Sequence, residues 1–174
     1  MSIRPIRLLG DPLLRAVGVR VRKYGTPDLR ALVTDLADTL HEFRRRHGFG
    51  RGIASPQIGD SRRVVYIECD GALALVNPEI VRSSRQMMTL WDDCFSFPDI
   101  AVKLRRHLSV EVRYRDPEGN EHHLKARGAL AELLQHEIDH TNGILAIDRA
   151  VDSKHIVYKS ELEKVKRVTA RKEM

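Results

Sequence analysis

Aromatic residues make up only 5% of this 174-residue chain. That scarcity argues against a nucleic-acid module, which needs a basic face joined to interleaved aromatics or a recognised fold signature. The formal charge of +6 is spread along the chain, apart from Arg44-Arg45-Arg46 and a Lys/Arg-rich C-terminus, and solvated helix faces account for it. Cysteine is nearly absent. Cys69 and Cys94 are too few for a disulfide framework and suit a reducing compartment. No run approaches the roughly 20 apolar residues of a membrane span. Met1-Ser2-Ile3-Arg4-Pro5 lacks the apolar core of a secretory signal. The expectation is a cytoplasmic chain with neither a membrane nor a specific nucleic acid among its partners. The glycine-rich stretch from Gly48 to Gly59 is not followed by Gly-Lys-Ser/Thr, which argues against a phosphate loop.

What is present centres on Gln135-His136-Glu137-Ile138-Asp139-His140. His136 and His140 are four residues apart, so on a helix both imidazoles share one face and can close on one metal ion. Glu137 then projects beside the metal, placed to take a proton from a bound water whose pKa the metal lowers to roughly 7. The composition from Ala126 to Asn142 favours a helix: no proline, an apolar stripe of Leu130, Leu133, Leu134 and Ile138, and Asn142-Gly143 as a stop. The alternative is a pair of surface histidines on an amphipathic helix. A third ligand is not fixed by spacing. Ala146 stands where one known pattern needs a histidine, and Glu161, Asp148 and Asp152 are candidates. Cys94 is another, in the irregular segment Trp91 to Pro98, because a thiolate with two imidazoles forms a catalytic metal set. Its competing reading is a small buried hydrophobe.

Elsewhere, Thr26 caps and Pro27 opens a helix whose stripe of Leu29, Leu32, Val33, Leu36, Leu40 and Phe43 runs to about Arg46. Val17, Val19 and Val21 alternate with polar or small residues, as in a short strand or extended arm. Strands are expected over 63–68 and 73–76, with Asn77-Pro78 breaking the second, and over 108–114 and 122–126 around the turn at 116–120. Asp148 to Asp152 reads as a linker and Tyr158 to Arg167 as a charged helix. The fold class is therefore α+β: antiparallel or mixed β-sheets packed around a central metal-binding helix, with an N-terminal and a C-terminal helix. One catalytic domain is expected over 1–174, with 150–174 as a helical extension.

Three segments in order resemble the peptide deformylase family, whose members remove the N-formyl group from nascent peptides. Gly50-Arg51-Gly52-Ile53-Ala54-Ser55-Pro56-Gln57 is similar to its first motif, Asp92-Asp93-Cys94-Phe95-Ser96 to its second, and Gln135 to His140 to its third. Asp11-Pro12-Leu13-Leu14-Arg15 also fits. The resemblance implies that Cys94, His136 and His140 ligate a metal, Fe2+ with Zn2+ or Ni2+ able to replace it. It implies that Glu137 shuttles the proton, and that the Gln57 amide and the Phe95 N–H hold the oxyanion. It pairs Arg106 with Asp92 and has Gly52 expose backbone to a formylated peptide. Transient ribosome association is a further implication.

This chain departs from the pattern at substrate-facing positions. Arg51 and Glu132 stand where the family carries apolar residues lining the pocket for the methionine side chain, and Asp93 replaces the motif glycine. Glu132 lies four residues before His136 and should share its face. Burying such charges unpaired is costly, so Arg51 and Glu132 are expected to meet each other or the substrate. Asp93 adds a carboxylate near the peptide-binding edge or turns to solvent. These changes raise an alternative function, an amidohydrolase of the same type with another formylated or acylated substrate. An idle metal-containing binding protein is a third reading. It is disfavoured because metal binding alone needs neither Glu137 nor Gln57.

Overall fold

The computed structural model describes residues 3–172. Its first helix, α1 (Pro27–His47), begins where the Thr26 hydroxyl accepts a hydrogen bond from the Leu29 N–H. It ends at Gly48 in the left-handed conformation, φ 77°. Leu29, Leu32, Leu36, Leu40 and Phe43 form its buried stripe. The stripe packs against Ile53, Val64, Tyr66 and Phe95.

Among the described residues the larger sheet orders its strands β1 (Gly52–Ala54), β2 (Val64–Glu68), β3 (Ala72–Ser83), β6 (Ser109–Arg115) and β7 (Glu121–Arg127). The smaller sheet comprises β4 (Met87–Asp93), β5 (Ile100–His107) and β8 (Ile156–Tyr158). All the strand pairings within the two sheets are antiparallel. Helix α2 (Ala129–Thr141) lies between them, buried at every position from Ala131 to Thr141. A helix buried all round is a core element, so its polar side chains must find partners inside the protein. Gln135 does so by clamping β5: its Oε1 accepts from the His107 N–H and its Nε2 donates to the His107 carbonyl, both at 2.9 Å. Helix α3 (Leu162–Lys172) follows β8.

Three expectations need correction. Asn77-Pro78 does not end its strand. Asn77 takes φ 52°, and its side chain holds both the N–H and the carbonyl of Val21 at 2.9 Å, so the strand bulges and resumes pairing at Glu79. The segment Trp91-Asp92-Asp93 is not irregular but completes β4, paired residue for residue with β5 from Met87 to Asp93. The Val17–Val21 stretch forms an arm tied by one isolated bridge, Val19 to Arg62, rather than a strand.

Candidate metal centre and active site

Cys94 follows β4 directly, and the helical turn of α2 sets His136 and His140 side by side. Cys94 Sγ lies 3.3 Å from His140 Nε2, which lies 3.2 Å from His136 Nε2. All three side chains are buried. Around a tetrahedral ion with bonds of about 2.1 Å, neighbouring nitrogens stand about 3.4 Å apart, so the donor spacing fits a metal. Two imidazole nitrogens that face each other share at most one proton, whereas a cation between the three donors satisfies all of them. The rivals for third ligand are engaged elsewhere. Asp148 accepts from the Leu145 N–H and from Arg15, Asp152 from the Lys154 N–H and His155, and Glu161 from Lys164.

A chain of charges aims His136. Its Nδ1 lies 3.0 Å from Asp92 Oδ2. The same oxygen accepts from Arg106 Nη2 at 3.0 Å, and Arg106 Nη1 donates to Asp139 at 2.7 Å. Arg149 grips Asp139 with two hydrogen bonds of 2.6 Å. A carboxylate on the outer nitrogen fixes a ligand histidine's tautomer and leaves Nε2 facing the metal. Burial opposes ionisation of Asp92, but His136 and Arg106 outweigh it and hold its carboxyl well below the usual range. Burial likewise opposes charge on His136, and Asp92 overrides it, raising that pKa well above normal. Burial, reinforced by His136, pushes His140 well below it.

Glu137 sits beside the trio, fully enclosed, with Oε2 lacking a hydrogen-bond partner. Burial raises its pKa to about 7. A carboxyl with that pKa exchanges a proton readily near neutrality. Gly52 makes the room: a Cβ there would come within 2.8 Å of Glu137 Oε1. The glycine therefore admits the carboxyl. Gln57 is anchored through Oε1, which accepts from the Ala54 N–H at 2.9 Å, while its Nε2 points toward Cys94 Sγ at 3.5 Å.

The cleft over these groups encloses about 140 Å³. Gln57, Cys94, His136 and Glu137 line it, and so do Arg51, Asp93, Phe95 and Glu132, so all the expected site residues except His140 meet on one cavity. Arg51 Nη2 bonds Glu132 Oε2 at 2.5 Å, so of the two expected outcomes the charges meet each other. Burial, then the charge of Asp92, raises the Glu132 pKa, and Arg51 opposes them. Asp93 does not turn free into solvent. It pairs with Lys159 Nζ at 2.8 Å, and the same ammonium stands 3.7 Å from the centre of the Phe49 ring. Lys159, Phe49 and Arg149 were not singled out from sequence. Lys159 lies in a stretch that reads as a solvated helix, and nothing local marks its reach to the cleft.

A family model described as polypeptide deformylase matches residues 3–155. The chain belongs to the peptide deformylase family. The peptide deformylase of Brachyspira hyodysenteriae is 35% identical over 97% of this chain and 92% of its own. The crystal structure of a peptide deformylase from Legionella pneumophila superposes with a TM-score of 0.82 at 36% identity, covering 98% of this chain and 99% of that one. A class I type b peptide deformylase from Acinetobacter baumannii, solved with Met-Ala-Ser bound, gives 0.79 at 30% identity, covering 86% and 99%. As a peptide deformylase this protein is a metal-dependent hydrolase. Among the described residues no helix is long and apolar enough to cross a membrane.

Proposed function

We propose that this peptide deformylase hydrolyses the N-formyl group of methionyl peptides, with Cys94, His136 and His140 holding the metal and Glu137 moving the proton. The observation that carries these roles is Glu137 itself: a buried carboxyl with a free oxygen and a pKa raised to about 7, next to three buried donors at ligand spacing. A divalent metal at the three donors supplies a water acidic enough to ionise near pH 7 and polarises the formyl oxygen. Glu137 takes a proton from the attacking water and delivers it to the amine nitrogen as the C–N bond breaks, giving formate and a free N-terminus. The Gln57 Nε2–H and the Phe95 N–H donate to the oxygen as it gains charge, a task for donors fixed beforehand. The anchoring of Gln57 through its own Oε1 supports that role. Gly52 and Asp93 line the peptide's path.

Fe2+ is the resident metal we propose, with Zn2+ or Ni2+ as replacements, since a thiolate with two imidazoles suits all three. Residues 1–174 act as one catalytic domain, in the cytoplasm and in transient contact with the ribosome. Co-sedimentation with ribosomes tests that contact, and an absence from the pellet at low salt refutes it. Formate release from formyl-Met-Ala-Ser, measured on protein purified without oxygen and assayed for metal, tests the activity. Turnover abolished by a chelator supports the reading, and metal-loaded protein that releases no formate overturns it.

A further inference from the structure

The formyl carbon and the first side chain belong to one residue, so both must enter the same cleft. The Cys94–His136–Glu137 end of that cleft takes the formyl group. The side chain then runs along the remaining wall, where Arg51, Glu132 and Leu133 stand. Arg51 Nη2 is committed to Glu132 Oε2 at 2.5 Å and Nη1 to the Ala129 carbonyl at 3.2 Å. A guanidinium carries five N–H donors, so donors remain beyond these two bonds. The Arg51 side chain is 45% exposed and Glu132 only 11%, so the pair lies across the mouth with its acidic member inside.

We propose, resting on the deformylase reading above, that Arg51 and Glu132 are specificity-determining residues. They make this enzyme accept an uncharged polar first side chain of methionine's length, methionine sulfoxide above all, alongside methionine. The argument is one of satisfaction. Because the two charges bond each other, a thioether leaves neither stranded, and formyl-methionine is accepted. A sulfoxide or carboxamide oxygen at the same reach finds spare guanidinium donors. An apolar wall would strand that oxygen, a penalty of roughly ten- to a hundredfold in binding. Methionine sulfoxide is the form the initiating residue takes on oxidation, so a chain carrying it would still be deformylated.

The test compares kcat/KM for formyl-Met-Ala-Ser, its sulfoxide and formyl-Gln-Ala-Ser on metal-loaded protein. The wild type should turn over the two polar peptides within about tenfold of the thioether, and Arg51→Ile/Glu132→Ile should widen the gap by a further tenfold or more. Formyl-Met turnover by the double variant reports that it folds. If it does not, Arg51→Met/Glu132→Met, which likewise leaves no buried charge unpaired but keeps longer side chains, should still widen the gap. A wild type that favours the thioether by over about a hundredfold, or a ratio the variants leave unchanged, overturns the inference. Metal-loaded wild type that turns over none of the three would instead refute the deformylase reading itself.

Discussion

Removing the Arg106 guanidinium should cost more stability than any other single change near the site. Its side chain is 1% exposed, and its two partners, Asp92 and Asp139, are 4% and 8% exposed. Asp139 keeps Arg149, which binds both of its oxygens, so it stays compensated. Asp92 keeps His136 but loses the one of its two partners whose charge does not depend on protonation. Arg106→Met fills similar volume and therefore isolates the charge. Leaving one buried carboxylate under-compensated costs about 3–5 kcal/mol, a large share of the roughly 5–15 kcal/mol that holds a domain together. Urea unfolding of chelator-treated protein is the assay, since bound metal would add its own stabilisation. The second arm is Asp92→Asn/Arg106→Met, in which the stranded charge is gone while an amide oxygen still accepts from His136 Nδ1. The double variant should recover about 1–2 kcal/mol relative to Arg106→Met. A loss under about 1 kcal/mol, or two losses that simply add, would refute the claim that Asp92 is a compensated buried charge.

Glu137→Gln should retain metal and lose about 10²–10⁴-fold in kcat, read by formate release with metal analysis on one sample; full activity would remove Glu137 as the proton carrier. Gly52→Ala pushes a methyl to within 2.8 Å of Glu137 Oε1, the movable end of a side chain. It should therefore lower kcat at least tenfold while costing no more than about 1 kcal/mol of stability, and unchanged kinetics would show that Glu137 tolerates displacement. Asp60 tests pH linkage away from the site. Burial opposes its charge, but hydrogen bonds from the Arg62 side chain and N–H lower its pKa. A lowered carboxyl pKa gives stability that is present above the unfolded value of about 3.9 and lost below it. Asp60→Asn should thus cost about 1 kcal/mol at pH 7 and little near pH 3; a pH-independent difference would refute the assignment.

Much of this was legible because its signals are local. The α1 stripe, its Thr26-Pro27 start and the His136–His140 turn each lie within a few residues, and the structure keeps them. The Arg51–Glu132 pair joins residues far apart in sequence, yet helical spacing from His136 put Glu132 on the site's face in advance. What stayed hidden was the smaller sheet. Val102, Leu104 and Arg106 alternate inward along β5, but Lys103-Leu104-Arg105-Arg106-His107 reads as a polar stretch, because the buried member of the alternation is an arginine. Pattern reading assumes that inward positions are apolar, and a compensated buried charge violates that assumption.

The hidden part explains why the visible part works. Two histidines one turn apart would suffice on any exposed helix to attract a metal loosely. Here α2 is buried along Ala131 to Thr141, and three of its polar side chains take partners from the sheet that sequence reading missed: Asp92 on β4 for His136, Arg106 on β5 for Asp139, His107 on β5 for Gln135. The β4–β5 register that sets Asp92 opposite Val102 also delivers Cys94 to His140. Geometry at the metal donors thus depends on one antiparallel pairing. On its inward face β5 carries Arg106, which ties the strand both to Asp92 on the strand that leads into Cys94 and to the helix bearing the histidines. Specific ligand placement and the cost of burying Arg106 are therefore one feature of the fold. A variant that relieves the buried charge with apolar side chains throughout should gain stability while losing the fixed orientation of His136.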